Sequence, residues 1–261
     1  MPPKIINDEQ YEFWNEGIGK KWVQEDASMN ERFTTLTNEF FSRAKIDKDD
    51  SILDIGCGGG ITSYEASKLV GENGYVLGAD ISEILLDLAK KNYSSIKNLE
   101  FKYCDVQNYE FEKKIFNKVI SRFGVMFFEN PIEAFKNISN SIQDGGSLHF
   151  VCWADVMENE FFTLSVNIII NYLKKDFPEI TRAPGPFAFS EEDYIKNILN
   201  TSGFKNIKVE KVNSLISTKD TPEKDGDLLF SIGLGGRLLS EANLSEKELS
   251  IIKDEIIEAC L

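Results

Sequence analysis

Between Ser51 and Trp153 short apolar runs alternate with longer amphipathic segments, the pattern of a parallel sheet covered by helices on both faces. The apolar runs predict strands over 51–57, 75–81, 99–105, 118–124 and 146–153. Ser82 is placed to cap a helix over 83–95, and Pro131 to begin one over 131–143. In such an open sheet a ligand binds beyond the carboxyl ends of the strands, where strand order reverses.

The flanking segments read as helical. Tyr11, Trp14, Ile18 and Trp22 recur at spacings of three and four, so a partly helical segment lays an aromatic stripe on the core, although Gly17 and Gly19 weaken it. After the fifth strand, a cap insertion over 154–189 contains a helix near 158–176 that is apolar on more than one face. One face covers the sheet and another meets substrate or a partner chain, which leaves a homo-oligomer open. Ser190 and Asp193 match a capping box for a helix over 191–202, and Ile207 to Val212 alternates like a sixth strand. Helices follow over 222–239 and 245–260, the second with Ser245 and Glu248 as a capping box. No seventh strand is read, which would leave the sixth with an unpaired edge. The whole chain, 1–261, reads as one domain: a lid over 1–45, a core over 46–153, the cap, and a carboxyl-terminal part over 190–261.

Composition narrows the function. A formal charge of −14 disfavours nucleic acid, whose non-specific affinity comes from lysines and arginines that displace counterions. Cys57, Cys104, Cys152 and Cys260 form no Cys-x-x-Cys pair, so neither a metal site nor a disulfide framework is indicated. With no apolar leader and no apolar run long enough to span a bilayer, the expected location is the cytoplasm.

The chemistry gathers at Ser51-Ile52-Leu53-Asp54-Ile55-Gly56-Cys57-Gly58-Gly59-Gly60, where an apolar strand runs into a glycine loop that lets a ligand approach the backbone. The dinucleotide fingerprint Gly-x-Gly-x-x-Gly would need a third glycine where Ile61 stands, so a nicotinamide cofactor is disfavoured.

Read as Asp54, Gly56, Gly58 and Gly60, the loop resembles the Asp-x-Gly-x-Gly signature of class I S-adenosylmethionine-dependent methyltransferases. Further matches follow in order: Tyr75 to Ile81 with Asp80 at a strand end, Phe101 to Val106 with Asp105, Val119 to Phe128 and Asp144 to Trp153. The last two look like the fourth and fifth strands of small-molecule methyltransferases. The resemblance implies an α/β Rossmann-like doubly wound sheet, S-adenosylmethionine as cofactor and S-adenosylhomocysteine as product.

By that resemblance Asp54 organises the loop and the methionine amino group, Gly56, Cys57 and Gly58 admit the cofactor, and Asp80 holds the ribose hydroxyls. Ile81 and Val106 form an apolar slot around adenine, and Asp105 accepts from its amino group. Arg122 binds the methionine carboxylate, binds a substrate anion or makes a structural ion pair. The segment from Tyr11 to Phe33 closes over the cofactor, with Trp22 as the first candidate.

No catalytic base is assigned. His149, the sole histidine, lies inside the fifth strand between Leu148 and Phe150, which favours a packed imidazole over a catalytic one. The acceptor is a small molecule with an oxygen, nitrogen, sulfur or carbon nucleophile, and abundant aromatic residues favour an apolar one. The alternative is a non-catalytic S-adenosylmethionine-binding or scaffold protein on the same fold.

Overall fold

A computed structural model describes residues 5–216 and 221–261. Its centre is β1 (Ser51–Ile55), flanked by β2 (Tyr75–Asp80) and β4 (Phe116–Arg122), with β3 (Leu99–Tyr103) and β5 (Ile142–Val151) outside them. The order is β3-β2-β1-β4-β5 and every pairing is parallel. A parallel strand covered on both faces is apolar along its length, which is why Ile52, Leu53 and Ile55 are all buried.

Alternation sends neighbouring residues to opposite layers. Ile52 packs with Phe40 and Ala44 of α3 (Thr34–Ala44) and with Ala66 and Val70 of α4 (Ile61–Val70). Leu53 faces Phe135 and Ile138 of α6 (Pro131–Ser141) and Ile198 of α8 (Glu192–Thr201). α5 (Glu83–Tyr93) is capped as expected, the Ser82 hydroxyl accepting from the Leu85 amide. Pro131 is the first residue of α6, with Asn130 as its cap.

Ahead of the sheet, α1 (Asp8–Glu12) passes through a π-helical turn (Phe13–Gly17) into α2 (Gly19–Arg32). The weak point expected at Gly17 and Gly19 is this change of helical winding.

Three expectations need correction. Residues 207–212 form no strand; Ile207 and Val209 pack their side chains on the core without a ladder partner, so among the described residues the sheet ends at five strands. The helix expected over 222–239 breaks at Ile232 and Gly233 into α9 (Pro222–Ser231) and α10 (Gly233–Glu241). The Ser190–Asp193 box is not made, because α8 starts one residue later with Glu191 at its cap and no side chain capping it. The Ser245–Glu248 box does open α11 (Glu246–Ala259).

The second apolar face of α7 (Glu160–Leu173) meets the carboxyl-terminal helices: Ile169 packs with Leu239, Ile252 and Ile256. No helix among the described residues is long and apolar enough to cross a membrane.

Candidate functional site

Strand order reverses at β1, so the loops after β1 and β4 leave a crevice between them. The glycine loop fills its floor. The Gly56 and Cys57 amides both donate to the Ala79 carbonyl, at 2.8 and 3.2 Å, which clamps the start of the loop onto β2. Gly58 takes a left-handed conformation, φ +54°, with open space where a Cβ would project. Its amide donates to Asp80 Oδ2 at 2.7 Å, and the Ser82 amide donates to Asp80 Oδ1 at 2.8 Å. Asp80 therefore holds the loop and the turn after β2 together.

Asp54 is fully buried one residue before the end of β1. Its Oδ2 accepts from Thr62 Oγ1 and Ser63 Oγ, both at 2.6 Å, tying the first turn of α4 to the strand. Its Oδ1 is buried without a hydrogen-bond partner. Burial pushes the carboxyl up to about 6, outweighing both hydroxyls and the charge of Arg122. Cys57 is buried with its thiol pushed well up by the same cause, the behaviour of an inert packed cysteine.

At the far end of the crevice Asp105 is buried and engaged by the amino-terminal segment. Its Oδ2 accepts from the Ile6 and Asn7 amides, each at 3.0 Å, and its Oδ1 from Asn7 Nδ2 at 2.8 Å and the Gln107 amide at 3.0 Å. Val106 beside it belongs to the core cluster under β4. The Ile81 carbonyl accepts from Asn15 Nδ2 at 3.1 Å.

Arg122 ends β4 and points into the amino-terminal helices. It donates to Thr37 Oγ1 at 2.8 Å and Asn30 Oδ1 at 2.6 Å, and lies over the Phe33 ring at 5.6 Å. Burial lowers its guanidinium to about 10 even though Asp54 and Asp26 oppose the shift. Trp22 packs on Trp14 and the Phe33 cluster. The residue of α2 that reaches the loop is Asp26, whose Oδ1 occupies the space a Cβ on Gly59 would take. Burial raises its carboxyl despite a hydrogen bond from Asn30 and the charge of Arg122.

Sequence reasoning missed Asp26, Asn30 and Asn7. Asp26 stands four residues after Trp22, on the same helix face, and that spacing was the available signal. His149 bonds Ser147 Oγ at 2.9 Å, and burial and Lys118 lower its imidazole.

A methyltransferase domain model matches residues 46–185, which spans β1 to β5 and the glycine loop. The chain belongs to the S-adenosylmethionine-dependent methyltransferase family. Its relatives include a protein of Invertebrate iridescent virus 6 named as a methyltransferase, 235L, 30% identical over 76% of this chain and 72% of that one. Another is a demethylmenaquinone methyltransferase of Staphylococcus aureus, 26% identical over 87% of this chain and 98% of its own. Among solved structures, an S-adenosylmethionine-dependent methyltransferase from Aquifex aeolicus superposes with a TM-score of 0.55 at 17% identity, over 74% of this methyltransferase and 91% of its own chain. A Methanococcus maripaludis structure gives 0.56 at 17% identity over 79% and 94%. This methyltransferase is therefore an enzyme that uses S-adenosylmethionine.

Proposed function

We propose that this methyltransferase passes the methyl group of S-adenosylmethionine to an apolar small molecule, at an oxygen, nitrogen, sulfur or carbon nucleophile, by in-line displacement. The observation that carries this reading is an aromatic wall at the carboxyl ends of β4 and β5. Phe123 and Trp153 stack with ring centroids 4.4 Å apart and 6° between their planes, and Phe33 and Phe161 flank them. Such a wall beside the glycine loop favours a flat apolar acceptor over a charged one. Two donors of Arg122 are already engaged on Thr37 and Asn30, which disfavours it as a clamp for an acceptor anion.

The bound cofactor supplies an electrophilic methyl group on a sulfonium. The residues fit it at two points. Asp54 keeps a buried, unpartnered oxygen, and Asp80, engaged by the backbone amides of Gly58, Ser82 and Ile81, retains acceptor capacity for a ribose hydroxyl. In this reading Asp54, Gly56, Cys57 and Gly58 hold the methionine end, Asp80 the ribose, and Ile81, Val106 and Asp105 the adenine. Arg122 and Trp22 keep the lid helices seated and water out.

Alignment then supplies much of the rate. His149 bonds Ser147 on β5, faces Lys118 on β4 and takes no part. We place the protein in the cytoplasm, where its four free cysteines stay reduced.

The test is transfer of labelled methyl from S-adenosylmethionine to a panel of phenols, quinols, thiols, amines and phosphoesters. Transfer to phenols, quinols or thiols is expected. Transfer confined to highly charged acceptors would overturn the reading.

A further inference from the structure

We infer that the strap from Ile6 to Asn15 is a gate over the adenosine end of the cofactor site, with the Asn7 carboxamide standing in for the adenine edge, and that cofactor binds by displacing it. This rests on the proposed use of Asp105 and Asp80 for the adenosine.

The argument begins with acceptor capacity. A carboxylate offers about four lone-pair positions. Asp105 receives four donors, the amides of Ile6, Asn7 and Gln107 and the Asn7 Nδ2, so an adenine amino group is admitted only when one of them leaves. Three of the four come from the strap. Gln107 is part of the same turn as Asp105 and stays.

The Asn7 side chain also has the right chemistry for a stand-in. Its Nδ2 donates to Asp105 Oδ1 at 2.8 Å, while its Oδ1 accepts from the Glu129 amide at 2.9 Å. Adenine presents the same adjacent donor and acceptor on its pairing edge, the amino group beside a ring nitrogen. Asn7 is buried although it only precedes a short helix that buries none of its own residues, as expected of a side chain filling a recess built for something else.

Further along, the strap follows the lip of β2. Asn15 brackets the next turn, donating to the Ile81 carbonyl and accepting from the Glu83 amide at 2.8 Å, and Ser82 Oγ donates to the Trp14 carbonyl at 2.9 Å. These are the residues directly after Asp80. The strap thus runs from the proposed adenine position to the proposed ribose position.

Its attachment suits release. α1 buries none of its residues, and apart from Trp14, whose ring packs on Trp22 and Phe127, the strap is held by these hydrogen bonds, which an incoming nucleoside replaces in kind. At its other end Glu16 and Gly17, the last residues of the π-helical turn, join it to α2, which Met29 and Arg32 anchor by burial. A hinge at that turn lets the strap move while α2 stays docked.

Hydrogen exchange on the full chain, with and without saturating S-adenosylhomocysteine, tests the gate, with calorimetry on the same samples to establish binding. The Ile6 and Asn7 amides should exchange slowly alone and at least tenfold faster with the ligand; adenosine alone should release them and methionine alone should not. Binding with those amides equally or better protected overturns the gate and leaves the cofactor reading standing. Failure of S-adenosylhomocysteine to bind overturns the cofactor reading and the gate together. Asn7→Ala should tighten S-adenosylhomocysteine binding by about tenfold, because it raises the fraction of chains with the site open; weaker binding would make Asn7 a ligand of the cofactor instead of its competitor.

Discussion

Gly56 and Gly124 meet backbone to backbone. A Cβ on Gly56 would lie 2.6 Å from the Gly124 Cα, and one on Gly124 would lie 2.8 Å from the Gly56 Cα. The loops leaving β1 and β4 therefore touch at the point where strand order reverses, and this contact sets the floor of the crevice. A Cβ on Gly124 would also meet the Ile55 carbonyl oxygen at 2.5 Å, so Gly124→Ala, pressed on backbone atoms of both Ile55 and Gly56, is expected to cost about 3 kcal/mol, the range of an overpacked site that must shift its backbone. Gly58→Ala meets no atom and should cost only the left-handed backbone penalty, about 1 to 2 kcal/mol. Urea unfolding of both variants checks this, and equal losses would remove the Gly56 contact as the cause.

Asp54 should make the protein less stable as pH rises. Its folded carboxyl stands at about 6 against an ordinary 3.8, so the native state holds a proton that the unfolded chain releases in that window. Stability present below the unfolded value is lost as pH climbs through the folded one, by about 3 kcal/mol at most for a shift of this size. Asp54→Asn should raise the melting temperature at pH 8 and leave it nearly unchanged at pH 4, while weakening cofactor binding. A variant that melts lower at both pH values would refute the burial argument.

His149 has the opposite sign. Burial and Lys118 hold its folded imidazole below the ordinary 6.5, so its contribution is present above that value and declines as pH falls. His149→Gln should flatten the acid side of the stability profile and leave methyl transfer intact. A folded but inactive variant would mean the imidazole acts in the chemistry.

Arg122→Lys should loosen the lid. Lysine keeps the charge but loses the planar fork that reaches Thr37 on α3 and Asn30 on α2 together. Limited proteolysis should cut the variant faster within residues 19–32, at a stability cost of about 2 kcal/mol for the one of the two charged hydrogen bonds that a single ammonium cannot keep. Unchanged cleavage would show that the helices are seated by their apolar contacts alone.

The sheet was readable because a parallel strand buried on both faces leaves an apolar run with a polar residue at or next to its carboxyl end, as at Asp54 and Asp80. Ile207 to Val212 misled because its alternation serves equally for side chains packing on a core, and a strand further needs a neighbour whose ladder it can join. The break at Gly233 was written in the run Gly233, Gly235 and Gly236, where helix propensity falls. Asp26 had only its spacing from Trp22 to mark it, and Asn7 was not legible at all. Asn7 reaches a partner 98 residues away, and no local period encodes that distance.

The most direct test of the account is calorimetric titration of the wild type and of Asp80→Asn with S-adenosylhomocysteine. Asp80 joins the glycine loop to the turn after β2 and is proposed to hold the ribose, so the wild type should bind at one site per chain and the folded variant at least tenfold more weakly, the cost of weakening a charge-assisted hydrogen bond. Equal affinity in a folded Asp80→Asn protein would contradict the account and move the cofactor site away from the crevice at the end of β1.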